Sequence, residues 1–65
     1  MKQASIYRKE SVIITTIGII SELGMQGLTS KEIAKREKIS EGTLFGHFKN
    51  MDEIILDVLK YHSEL

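Results

Sequence analysis

The chain has no cysteine, no proline and no tryptophan among its 65 residues. Without cysteine it has no disulfide staple and no thiolate metal site, and no His, Asp and Glu cluster stands at metal-ligand spacing. Without proline, and with turn clusters scarce, the sequence favours an all-α chain. Long apolar runs are missing too. The greasiest stretch, 12–20, is too short to cross a bilayer and is interrupted by Thr15, Thr16 and Gly18. No cleavable leader pattern stands at the N-terminus, so a soluble, cytoplasmic protein is the default expectation. No paired carboxylates and no nucleophile with its base occur at a fitting spacing, and 65 residues leave little room for a pocket. An enzyme is not expected, and no cofactor is implied.

Charge of one sign is lacking as well: nine Lys and Arg balance nine Asp and Glu. Zero net charge at first counts against a nucleic-acid partner. The distribution reverses that. Residues 1–50 hold eight of the nine basic and five of the nine acidic residues, a balance of +3, while 51–65 hold one Lys and four acids, a balance of −3. A mildly basic body with an acidic tail fits a domain that turns one side toward an anionic partner.

What is present is a succession of helix signals. Ser5 can cap a first helix over 6–23, closed by Gly24 as a left-handed residue. Its middle is rich in β-branched residues, which locally favour a strand. The recurrence of Ile13, Ile17 and Ile20, and of Ile6, Ile13 and Ile20, is helical and decides for helix. A loop over 24–27 follows. Thr29-Ser30-Lys31-Glu32 reads as a capping box that opens a second helix over 30–37, with Ile33 and Ala34 on its buried side. The pattern breaks near Lys38-Ile39, and Ser40 offers the cap of a third helix over 41–48. Leu44 and Phe48 point that helix at the core, which leaves Glu41, Gly42, Phe45 and Gly46 outward. Asn50 and Glu53 form a further capping box for a fourth helix reaching about residue 62, where His62 reads as a surface residue. Ile54, Ile55, Leu56, Val58, Leu59 and Tyr61 spread over more than one face of that helix. Either this is a small domain with a greasy last helix, or the second face packs on a partner or a further domain.

Helix, tight turn, helix, with small hydroxylated residues at the start of the second, is a layout that places a helix in a DNA groove. GLTSKEIA at 27–34 and ISEGTLFGHFKN at 39–50 resemble the N-terminal DNA-binding domain of the tetracycline-repressor (TetR) family. The resemblance runs over about 8–59 and is densest over 29–50. It implies an all-α fold: a three-helix homeodomain-like helix-turn-helix bundle over 1–49, plus the start of a fourth helix over 50–65. That last helix would lead to a ligand-binding and dimerisation domain absent here. The function implied is sequence-specific binding by a transcriptional regulator, most often a repressor, with helix three in the major groove. The partner implied is double-stranded DNA, a near-palindromic operator at a bacterial or archaeal nucleoid. A homodimer is expected in the full-length regulator, and a small-molecule effector only through the missing domain.

By the same resemblance Glu41, Gly42 and Phe45 match base-contacting positions, and Thr43, His47 and Lys49 match phosphate-contacting ones. Thr29, Ser30 and Lys31 match a second contact cluster; Thr29 and Ser30 are assigned to phosphate and Lys31 to the groove. Ser40 and Gly46 join the groove face by their place on helix three. Glu41 stays open between two roles, a helix N-terminal acid favoured by the dipole and an acceptor for a cytosine amine. Three positions depart from the family pattern. Met51 replaces a phosphate-holding Lys, Lys38 stands where the turn usually has Gly and must take positive φ or reshape it, and Phe45 replaces Tyr. The rival reading is a helical protein–protein interaction module that uses the apolar faces of helices one and four.

Overall fold

A computed structural model describes residues 2–63, with side chains from Arg8 to Tyr61; those of Ser5, Ile6 and His62 lie outside the described ones. The first element, α1, runs Lys2–Leu23. It begins four residues ahead of the expected start, so Ser5 lies inside the helix and is not its cap. The β-branched middle is helical because burial outweighs local propensity there. The stripe that is buried is Val12, Thr16 and Ile19, each fully enclosed, with Ile13 at its edge. This is one residue round from the expected Ile13, Ile17 and Ile20; Ile17 and Ile20 are only half-buried. The displacement has a simple cause. Thr16 looks polar in sequence, but its hydroxyl donates to the Val12 carbonyl at 2.7 Å, so its methyl can enter the core with no orphaned group.

Gly24 ends α1, its amide bonding the Ile20 carbonyl at 2.8 Å. Its φ of 75° is positive as expected, but ψ is 175°, an extended conformation open to glycine rather than the left-handed helical one. The loop is partly helical: a single 3₁₀ turn covers Met25–Gly27. A Cβ on Gly27 would fall 2.3 Å from the Leu23 Cβ, so the chain can double back only over a glycine.

The second helix, α2, is Ser30–Glu37. The Thr29 hydroxyl oxygen accepts from the Glu32 amide at 3.0 Å. The capping box is only half formed, however. Glu32 does not reach back; its carboxylate accepts from Arg36 Nε at 2.9 Å, and Arg36 also pairs with Glu22 at 3.0 Å. The ion pair outcompetes the reciprocal cap because Arg36 lies one turn along the same face. At the far end Lys38 takes φ 60° and ψ 42°, the left-handed conformation the missing glycine foretold. The Ile39 amide then reaches the Ala34 carbonyl at 3.0 Å and closes the helix end.

The third helix, α3, is Glu41–His47, one residue shorter than expected; Phe48 is extended (φ −131°, ψ 139°) yet fully buried. The fourth, α4, is Met51–Ser63. Asn50 caps it through the Glu53 amide at 2.9 Å, while Glu53 returns to the Lys49 amide at 3.2 Å instead of that of Asn50. The core takes Val12 and Ile19 from α1, Ile33 from α2, Leu44 and Phe48 from α3 and its end, and Ile54 from α4. Leu28, Ile39 and Met51 pack around it. Among the described residues every regular element is helical, an all-α fold of a helix-turn-helix on a long first helix with a fourth helix behind. No described helix is long and apolar enough to cross a membrane.

One fastening was not foreseen. The Glu37 carboxylate, at the last position of α2, is 5% exposed and faces α1. It accepts from Arg8 Nη1 at 2.8 Å, from Ser11 Oγ at 2.9 Å and from Thr15 Oγ1 at 2.5 Å. Positions 8, 11 and 15 follow helical spacing, so one face of α1 converges on a single acid. Burial pushes this carboxyl up, but the two hydroxyls and the guanidinium more than reverse that, and it lies below its ordinary value.

Candidate nucleic-acid interface

The turn between α2 and α3 brings the starts of the two helices together, and a bond spans them. Ser30 Oγ donates to Glu41 Oε2 at 2.8 Å. Thr29, Ser30 and Lys31 therefore share one surface with Ser40 and Glu41. His47 and Lys49 lie at the other end of α3, His47 half-buried and Lys49 exposed.

The outer face of α3 is unusually bare. Glu41, Gly42, Thr43, Phe45 and Gly46 are all exposed, while Leu44 alone within the helix turns into the core. Among the described residues no packing contact requires the two glycines. A Cβ at Gly46 would meet no atom within 4 Å, and one at Gly42 only Ser40 Oγ at 3.7 Å. Each glycine weakens a seven-residue helix by about 0.5–1 kcal/mol relative to alanine. A smooth helix face that its own fold does not need is suited to close approach by another surface. Phe45 adds a ring on that face, 37% exposed.

The hydroxyls around it have protons to give. Ser40 Oγ accepts from the Thr43 amide at 3.0 Å and donates to Thr43 Oγ1 at 3.0 Å. Thr43 is the acceptor in that pair, so its own proton remains for an outside oxygen. Thr29 likewise receives an amide on its oxygen and keeps its proton. Capping and anion contact are thus compatible in both residues. Lys31, Lys35, Lys38 and Lys49 are exposed. Arg36 differs, being held by Glu22 and Glu32. The hydrogen bond from Arg36 is the main cause that keeps the Glu32 carboxyl below its usual value. Met51, where a basic residue was the family expectation, is half-buried against the core and cannot serve as a cation.

The sequence reading missed two features of this surface: the Ser30–Glu41 bond, and the internal use of Arg36. The second had a signal in the i, i+4 spacing of Glu32 and Arg36. The first joins residues eleven apart on different helices and had none.

Comparison with known proteins gives a consistent picture. The profile described as "Bacterial regulatory proteins, tetR family" matches residues 13–58. The class C tetracycline repressor protein of Escherichia coli is 36% identical over 52 residues, covering 80% of this chain and 23% of the relative. The class D protein of Escherichia coli is 32% identical over 60 residues, covering 86% and 28%. An uncharacterized HTH-type transcriptional regulator of Bacillus subtilis, YerO, is 33% identical over 55 residues, covering 85% and 19%. The chain thus spans about a quarter of the length of the curated relatives it matches. No solved structure matches it.

Proposed function

The chain belongs to the tetR family of bacterial regulatory proteins, and from that membership we propose that it is the DNA-reading unit of a transcriptional regulator, a repressor in the cell. In this reading α3 enters the major groove of double-stranded DNA. Ser40, Glu41, Gly42, Phe45 and Gly46 face base edges, and Lys31 reaches in from the start of α2. Thr29, Thr43, His47 and Lys49 hold phosphates on either side; Ser30, whose hydroxyl proton is given to Glu41, contributes to that contact through its backbone amide at the start of α2. The observation that carries this is the bare α3 face, with two glycines no internal contact requires, bordered by hydroxyl protons and lysines.

The division at residue 50 belongs to the same proposal. Residues 1–49 read DNA, and α4 leads toward a domain that dimerises the regulator and takes any effector. Leu56 and Leu59, more than half exposed on α4, give that domain an apolar seat. Two copies would then address a near-palindromic operator, one α3 per half-site. The interaction-module alternative is disfavoured by the placement of these residues. The apolar surplus lies on α1 and α4, whereas the outer α3 face carries glycine, hydroxyl and amphipathic groups.

Titration of the purified chain against random duplexes at two salt concentrations tests the proposal. Binding should fall steeply with salt, as phosphate anchoring requires. Thr43→Ala and His47→Ala should each weaken it several-fold without loss of helical circular dichroism. Equal binding by both variants and the parent would contradict the assignment.

A further inference from the structure

Glu41 is the one acid on the outer face of α3, and an acid is out of place on a surface meant for phosphates. Its ordinary explanations are already met by other residues. The cap of α3 is Ser40, whose hydroxyl takes the Thr43 amide. The dipole at a helix start favours an acid there, but does not account for a tether to a second helix. Yet Glu41 Oε2 is held at 2.8 Å by Ser30 of α2, and Oε1 has no hydrogen bond among the described residues. An exposed side chain with one oxygen fixed across a helix pair is a pre-set acceptor.

We propose that Glu41 is a specificity-determining residue that accepts from the exocyclic amine of a cytosine, and that Ser30 is the positioning residue that aims it. This rests on the groove-reading function above. A carboxylate can only accept. On the major-groove edge guanine offers two acceptors and thymine one, and both repel it. Adenine offers an amine beside the N7 acceptor, a mixed edge. Cytosine alone offers an amine with no acceptor of its own beside it. Against phosphate Glu41 is a liability for every sequence, so what it adds is discrimination: it weakens binding to wrong sites more than to the right one. Ser30 contributes by holding one rotamer, which reduces the freedom lost when the base arrives.

The test is selection from random duplexes, with sequencing of the bound fraction, for the parent, Glu41→Gln, Ser30→Ala and Ser30→Thr. The parent should enrich a motif with one column dominated by cytosine. In Glu41→Gln that column alone should move toward adenine, which glutamine contacts through both its amine and N7, by about tenfold in relative preference. Affinity for unselected duplexes should rise at the same time, because a charge of the phosphates' sign has gone. Such opposite movements are not what a merely structural residue produces. Ser30→Ala should lower the cytosine preference several-fold in the same column, and Ser30→Thr, which keeps the hydroxyl, should restore it. An unchanged motif in Glu41→Gln overturns the proposal. A normal cytosine column in Ser30→Ala overturns the part given to Ser30. A parent that enriches no motif while binding duplexes in a salt-sensitive way overturns this inference alone; a folded parent that binds no duplex at low salt overturns the DNA-reading function and this inference together.

Discussion

Lys38 holds the left-handed conformation at the end of α2 with a side chain that gains nothing from it (φ 60°). A Cβ in that region costs about 1–2 kcal/mol, part of which glycine returns through its freer unfolded chain. Lys38→Gly should therefore stabilise the fold by up to about 1 kcal/mol, read as a higher thermal midpoint. Glu37 is the opposite case, a nearly buried acid whose three partners lie on another helix. Its folded carboxyl titrates below the unfolded one. The stability it adds is therefore complete above the unfolded value of about 4.3 and is lost as pH falls through the folded value. Glu37→Gln should cost about 1–3 kcal/mol at neutral pH. The gap between variant and parent should close as pH drops below about 4 in denaturant titrations followed by circular dichroism. A gap that stays constant with pH would mean the carboxylate charge does not matter to the clasp.

At the scale of elements, the helices over 30–37 and from 41 onward were legible because each has a side-chain oxygen cap, from a hydroxyl or, for α4, the Asn50 amide, and a short amphipathic run. Those signals are local, and Thr29, Ser40 and Asn50 make the cap bonds they imply. The first helix was legible in existence but not in rotation. Apolar counting favoured the isoleucines and passed over Thr16, whose hydroxyl is satisfied by its own helix. The α3 face could be read from Leu44 and Phe48, which buried positions fix. The Glu37 clasp and the Ser30–Glu41 bond could not, since both depend on how two helices meet. Two glycines separate propensity from packing in α1 and its loop. Gly18 has no atom within 4 Å of a Cβ, so Gly18→Ala should raise stability by about 0.5–1 kcal/mol. Gly27→Ala would drive a methyl into Leu23 and should lower it by about 1–3 kcal/mol. Thermal melts of the two variants should move in opposite directions.

For the whole molecule, zero net charge concealed the arrangement that matters. Four of the five acids in residues 1–50 are engaged: Glu37 in the clasp, Glu22 and Glu32 with Arg36, Glu41 with Ser30. The exposed lysines beside the α3 face have no such neutralisation in the described ion pairs, so this surface is more basic than composition suggests. The fold supplies the platform, and its own stability does not need the glycines of that platform. One double variant separates the service of this bare face to DNA from its service to the fold. Gly42→Ala with Gly46→Ala should raise the thermal midpoint, since two helix positions improve by about 0.5–1 kcal/mol each with no internal clash. Affinity for the selected duplex should fall at least tenfold, since two methyls stand where the groove must close on the backbone. A variant that is more stable and binds DNA as tightly as the parent would mean that the bare face does not meet the groove.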